Sequence, residues 1–436
     1  MAPRAHAKRG RYASRRRHSY LRYVIGGSAV AVLALGGAAL VYAVSGSSGA
    51  TSAHVAGSGS ATGKAPPLSL NIQPVDGTVG LPLDGVVTVS AAQGRLNSVQ
   101  VAPDGTSPSG ATGSSAASLP GALDPAGQSW QSAGPLAPQT HYTVTVHAVN
   151  DAGQQVDHVS HFLTMTPKAV LALKLNPGDN QTVGIGMPIE LTFNHSVQNK
   201  DAILSRLQVT ESMPVPGGWH WFSDRELHFR PETYWPTGDQ VSLVANLAGF
   251  DAGNGIWATQ NHSVHFVIGP AHVSTADVNA HVMTVTSNGQ VVASYPLSAG
   301  RTNLPTMGGV HIAVYKSQVV RMISTTPGDS YDELVYWDVN ITDGGEFVHA
   351  APWSTGAQGR SNVSHGCINL SPANATTFYN FSQIGDLVNV VGSPRPPSTG
   401  DHGTMDWTTP WAQFVPATTP ALLVPPAPVS GPHSVA

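Results

Sequence analysis

Apolar side chains keep to alternate positions over long stretches between residues 67 and 268. In HYTVTVHAVNDAGQQ (His141 to Gln155) Tyr142, Val144 and Val146 share one face, and an Asp-Ala-Gly turn follows. QVSLVANLAGFDAGNG (Gln240 to Gly255) repeats the pattern with Val241, Leu243 and Ala245. A period of two, closed by Gly, Asn and Asp, predicts antiparallel strands with one buried face. The two stretches belong to a longer repeat. PVDGTVGLPLDGVVTVSA (Pro74 to Ala91) is echoed by PGDNQTVGIGMPIELTFN (Pro177 to Asn194), and the Thr-Val-Gly of 78–80 returns 104 residues later at 182–184. Two units of such strands, 67–166 and 167–268, predict tandem immunoglobulin-like sandwiches.

The texture changes near residue 269. HVMTVTSNGQVVASYPLSAG reads as two strands joined by a Ser-Asn-Gly turn, a hairpin signal. GVHIAVYKSQVVRMIS, ELVYWDVNIT, EFVHAA, CINLS and DLVNVVG supply further strands. One principal helix is expected: Ser371 suits an N-cap, Pro372 the first helical position, and Gly385 the residues after the last turn. The fold class is therefore mainly β, with a β-rich domain over 269–393. The tail 394–436 is rich in Pro and Thr, but DWTTPWAQF (Asp406 to Phe414) is apolar enough to pack on that domain. In GGWHWFSDRELHFRP (Gly217 to Pro231) the aromatic residues read as core on paired strands, with a sugar-stacking patch as the rival. SPSGATGSSAASLPGA (Ser107 to Ala122) reads as a loop inside the first unit.

Composition adds an address. Of 436 residues, 41% are hydrophobic and 11% charged, and the net charge of −4 gives no reason to expect a nucleic acid partner. Positive charge is crowded at one end. Residues 1–23 carry eight Lys or Arg, from Arg4 to Arg22, and no acid. The apolar run 24–44 follows and is long enough, at roughly 1.5 Å per residue, to cross a bilayer as a transmembrane helix. Basic residues stay in the cytoplasm, so the rest of the chain should face outward. A cleaved signal peptide is the alternative, and it exports the same residues. Residues 45–66, rich in Gly, Ser and Ala, read as a flexible linker.

Export changes the meaning of Cys367, the one cysteine in the chain. It cannot form an internal disulfide, which leaves a buried inert residue, a link to another chain, or a working thiol. A thiol attacks as thiolate, and a nearby imidazole can lower its pKa to roughly 3.5–7.5. Two histidines are placed to do so. His365 is two residues before Cys367, on the same face if the segment is extended. His349 lies 18 residues upstream at the end of EFVHAA, where an adjacent strand could bring it alongside. Gly366 allows a backbone turn that would present amides to an oxyanion. A zinc trio of His349, His365 and Cys367 lacks a second Cys or paired His to complete it, so neither metal nor cofactor is expected.

HAAPWSTGAQGRSNVSHGCINLS, from His349 to Ser371, closely resembles the active-site signature of L,D-transpeptidases, the YkuD-type cysteine enzymes of peptidoglycan. The signature is a His, a spacer, then Ser/Thr-His-Gly-Cys-x-Asn, met here by His349, Ser364, His365, Gly366, Cys367 and Asn369. The APWS and GAQG inserts and the order of parts resemble the actinobacterial branch with two immunoglobulin-like domains. The resemblance implies Cys367 as nucleophile, His349 as base and the Ala350 carbonyl as the group orienting its ring. His365 would shape the site, and the Gly366 and Cys367 amides, with the Tyr331 hydroxyl, would hold the oxyanion. Met322, Tyr331, Trp353, Ser364 and Asn369 match the donor pocket and its lid, roughly 319–353. Arg360 has no implied role.

The same resemblance implies a tetrapeptide stem donor, a diaminopimelate amine acceptor and release of D-Ala, giving links between third stem residues. It also implies carbapenem-type inhibitors, anchoring to the cell membrane and a catalytic domain in the wall space. An L,D-carboxypeptidase and a non-catalytic wall-binding protein are the alternatives.

Overall fold

Thr78 and Thr182, which open the repeated Thr-Val-Gly, stand at the same place in two sandwiches of identical topology. The computed structural model describes residues 67–104, 118–324 and 330–415. In the first sandwich one sheet runs Ser69–Gln73, Thr88–Ala92, Ser129–Ser132, Gly121–Leu123 in spatial order. The other runs Thr78–Leu81, Gln155–Thr164, His141–Asn150, Gly94–Pro103. The second repeats both orders with Leu173–Asn176, Ile189–Phe193, Glu226–Pro231, Gly217–Ser223 and with Gln181–Val183, His262–Ile268, Gln240–Ala245, Leu207–Glu211. In each, the strand bearing Thr-Val pairs parallel to the last strand of its unit. The alternation is borne out: Tyr142, Val144 and Val146 are buried in one core, and Val241, Leu243 and Ala245 in the other. Trp219, Leu227 and Phe229 are core residues as expected, and Trp221 packs beside them.

The mainly β expectation holds over residues 269–393 too. One sheet there has the order Gln290–Pro296, Val282–Ser287, His272–Asp277, Leu387–Val391, Gly309–Ile312. Asn288 and Gly289, both at positive φ, make the predicted hairpin turn. The second sheet runs Tyr315–Ser324, Tyr331–Asn340, Phe347–Ala350, Ile368–Leu370. Helix Pro372–Phe381 lies on it, capped by the Ser371 hydroxyl, which accepts from Asn374 N at 3.3 Å. Its C-cap is Ser382, three residues before Gly385. Gly385 serves a close approach instead. A Cβ there would sit 2.6 Å from Met187 Cβ, and Gly184 N and Gly186 N donate to the carbonyls of Ile384 and Gly385 at 2.7 and 3.0 Å. The second sandwich and the sheets of 269–393 thus share one apolar core, in which Ile312 and Leu387 join Met187, Ile189 and Phe266.

The C-terminal segment reaches beyond its expected place. Its residues 394–415 touch the 269–393 sheets as expected, as where Ile312 N donates to Gly403 O at 2.8 Å, and its aromatic rings lie on the second sandwich. The reason is Arg230, a buried cation on strand Glu226–Pro231. Its guanidinium sits over the rings of Trp407, Trp411 and Phe414 at 4.6, 5.1 and 4.4 Å and donates to Thr409 O at 3.1 Å. The expected transmembrane helix 24–44 lies outside the described residues. Among these, no helix is long and apolar enough to cross a membrane.

Candidate active site

Two parallel strands bring the signature together. Strand Phe347–Ala350 pairs with Ile368–Leu370 so that His349 stands opposite Asn369. Val348, Ala350, Ile368 and Leu370 face the domain core. The alternate residues His349, Cys367 and Asn369 therefore face the other way and line one cavity of about 250 Å³. Met322, Tyr331, Glu333 and Val335 of the neighbouring hairpin cover one side, and Trp353, Val363, Ser364 and His365 close the rest. The expected site residues that carry cavity-facing side chains thus converge.

His349 is buried, and its Nδ1 lies 2.9 Å from the Ala350 carbonyl. A carbonyl only accepts, so Nδ1 carries the proton and Nε2 presents a lone pair. Burial drives the ring pKa down to about 4, against the Ala350 carbonyl and the Asn369 side chain, which favour the charged form. Asn369 is itself held, its amide donating to Ser354 Oγ at 3.1 Å.

Cys367 corrects an expectation. Proximity to an imidazole suggests a thiolate–imidazolium pair, but among the described residues the hydrogen bonds of the sulfur are with the backbone. The thiol donates to Gly345 O at 3.8 Å. Burial pushes it up to about 12, the Phe347 amide opposes this, and the carboxyls of Glu346 and Asp338 raise it further. Low dielectric disfavours both ions and so favours a neutral thiol beside a neutral imidazole.

The second correction concerns the turn. His365 and Cys367 do not share an extended strand, because Gly366 takes φ +131° between them. Thr306 Oγ1 donates to Gly366 O at 2.6 Å, and Ser364 Oγ donates to Cys367 O at 2.6 Å. Gly366 N donates to Ser364 Oγ at 3.1 Å, so this expected oxyanion donor is already engaged. His365 turns outward: Arg301 donates to its Nε2 at 3.0 Å, and its ring packs on Tyr331 at 4.8 Å. The two imidazoles thus differ in setting: Nδ1 of His349 is committed to a carbonyl, whereas Nε2 of His365 faces Arg301.

A model of the L,D-transpeptidase catalytic domain matches residues 271–390, and one of a bacterial Ig domain matches 78–251. L,D-transpeptidase 2 of Mycobacterium tuberculosis is 35% identical over 345 residues, which cover 78% of this chain and 82% of that protein. The chain belongs to the L,D-transpeptidase family. L,D-transpeptidase 5 of the same species is 36% identical over 288 residues, covering 64% of each. A crystal structure of L,D-transpeptidase 3 from M. tuberculosis with a faropenem-derived adduct is 30% identical, covering 50% of this chain and 97% of the other at a TM-score of 0.42.

Two features of this family member escaped sequence reasoning. Glu346, three residues before His349, is buried beneath the Cys367 turn. It accepts from Met307 N at 3.0 Å and pairs with Arg395 of the C-terminal segment. Away from the cavity, Glu190, His228 and Asp406 bring potential ligand atoms within 4.8 Å of one another. There His228 already has carboxylates beside both nitrogens, Asp406 at 3.1 Å and Glu226 at 3.3 Å.

Proposed function

We propose that this protein is a peptidoglycan L,D-transpeptidase that links third stem residues through a thioester on Cys367. The observation that carries the reading is His349: its Nδ1 is committed to Ala350 O while its ring and Cys367 line the same cavity. With a neutral resting pair, the nucleophile forms during attack. The thiol turns from Gly345 O, its proton passes to His349 Nε2, and sulfur adds to the carbonyl of the third stem residue. The imidazolium then returns that proton to the departing D-Ala nitrogen, leaving the thioester.

A second stem completes the exchange. Its side-chain amine adds to the thioester, His349 takes the amine proton, and the thiolate leaves and is reprotonated. Met322, Tyr331 and Trp353 at the cavity wall would cover the acyl group and keep water away until the amine arrives. A β-lactam offers the same thiol a strained carbonyl and no leaving peptide, so carbapenem-type compounds should acylate Cys367. The basic segment 1–23 and the apolar run 24–44 fit a membrane anchor that holds this site outside the cell, with the two sandwiches as spacers.

The test is incubation of the full-length protein with a disaccharide tetrapeptide, followed by mass spectrometry. Cross-linked dimers that disappear in Cys367→Ala and His349→Ala support the reading. Shortened monomers alone would make it a carboxypeptidase, and no change in the substrate would leave only a wall-binding role.

A further inference from the structure

Strand Tyr331–Asn340 carries a defect next to the site. Its register with Phe347–Ala350 pairs Tyr336 with Ala350 and Val339 with Val348, so Trp337 and Asp338 together stand opposite one residue, His349. Trp337 takes φ +60°, a conformation that a bulky side chain rarely adopts. Such bulges re-aim side chains, and strain of this kind gathers at functional sites. Here the bulge turns Trp337 onto Tyr379 of the helix, ring centroids 5.4 Å apart, and Val339 into the core. Asp338 is thereby sent to the opposite face, the face of His349 and Cys367.

Asp338 is fully buried, and neither carboxylate oxygen has a hydrogen-bond partner in the protein. Burial pushes its pKa up to about 7. Buried carboxyls without partners are uncommon and costly, so one beside a catalytic ring needs a reason. The titratable groups around it are Tyr315 and Cys367, raised by burial first and by its charge in addition, with His349 opposite and Glu346 at the head of that strand. Lys316 is turned away, its Nζ 4.4 Å from the Tyr379 ring.

We propose that Asp338 is a positioning residue for His349, its carboxylate drawing the Cys367 proton onto the imidazole. Neighbouring strands lie roughly 4.8 Å apart, so His349 is one strand from Asp338 and Cys367 is two. Moving a proton from sulfur to the ring brings positive charge one strand closer to the carboxylate. An ionised Asp338 therefore favours the transfer even though it disfavours the thiolate alone. This rests on the acyl-transfer reading of Cys367.

The experiment compares wild type with Asp338→Asn, which matches the neutral acid in shape. Acylation of Cys367 by a β-lactam is followed by intact mass from pH 5 to 9, and the His349 ring is followed by NMR. Below pH 6 the two proteins should acylate within about twofold of each other, since both are then uncharged at 338. At pH 8 the variant should be about tenfold slower, the equivalent of one pKa unit. The wild-type His349 resonances should show an inflection near pH 7 that the variant lacks. Superimposable profiles, an equal loss at every pH, or an unmoved His349 titration would overturn the proposal. If wild type is not acylated at any pH, the acyl-transfer reading fails, and the His349 inflection alone decides whether Asp338 reaches the ring.

Discussion

The Nδ1 of His349 lies 2.9 Å from the carbonyl oxygen of its own neighbour, Ala350. One main-chain contact thus decides which nitrogen can receive a proton, whatever side chain occupies position 350. His349→Gln should lower Cys367 acylation by roughly 10²–10⁴-fold, the usual worth of a positioned base. Ala350→Ser should leave it within about threefold. Stopped-flow acylation rates check both.

Burial that holds His349 near 4 sets an acid limit with a definite sign. An unfolded chain takes a proton on this ring near its ordinary value of 6.5, whereas the folded chain resists until about 4. The unfolded state binds more protons in that window, so this group's contribution to stability falls as pH drops from 6.5 towards 4. Urea denaturation at pH 7 and pH 4.5 should show the loss, and His349→Gln should reduce it. Acylation should remain measurable at pH 5.5, at the level of Asp338→Asn, although an unperturbed histidine would there be mostly protonated.

Gly366 is needed twice over. Its φ of +131° is open to glycine, and a Cβ would lie 2.9 Å from Glu346 Oε1. Glu346 cannot easily retreat, since Met307 N and Arg395 hold both its oxygens. Gly366→Ala should cost about 1–3 kcal/mol of stability. It should also cut acylation more than a surface Gly→Ala change such as Gly356→Ala, where a Cβ meets nothing. Chemical denaturation paired with acylation rates reads both effects.

Incubation with a carbapenem should add one acyl mass to the protein. The adduct should vanish in Cys367→Ala, because no other thiol exists in the chain. An adduct that survives the substitution would place the reaction elsewhere.

The strands and the site were legible for local reasons. Tyr142, Val144 and Val146 announce a buried face by spacing alone, and His349 and Cys367 stand out because a motif fixes the residues between them. Asp338 was not legible. One inserted residue in a strand flips every later side chain to the other face, and ELVYWDVNIT reads equally well in either register. Glu346 with Arg395 and His228 with Asp406 were hidden for another reason. Their partners lie 49 and 178 residues apart, and nothing local marks a charge that will be buried.

The longest of these links yields the last prediction. His228 is wholly buried, with Nδ1 3.1 Å from Asp406 of the C-terminal segment and Nε2 3.3 Å from Glu226. Burial alone would push its pKa down. The charge and hydrogen bond of Asp406, with Glu226 and Glu190 behind, reverse this and hold it at about 10. The folded value exceeds the unfolded 6.5, so the stabilisation is complete below about pH 6.5 and is lost as pH rises towards 10. Asp406→Asn strips the buried imidazolium of its main partner and should cost about 3–5 kcal/mol at pH 7. At pH 10 wild type and variant should converge, because the ring is then losing its charge in both. Urea midpoints at the two pH values measure the gap. An equal gap at both would mean that packing of the segment, not the ion pair, fastens it to the second sandwich.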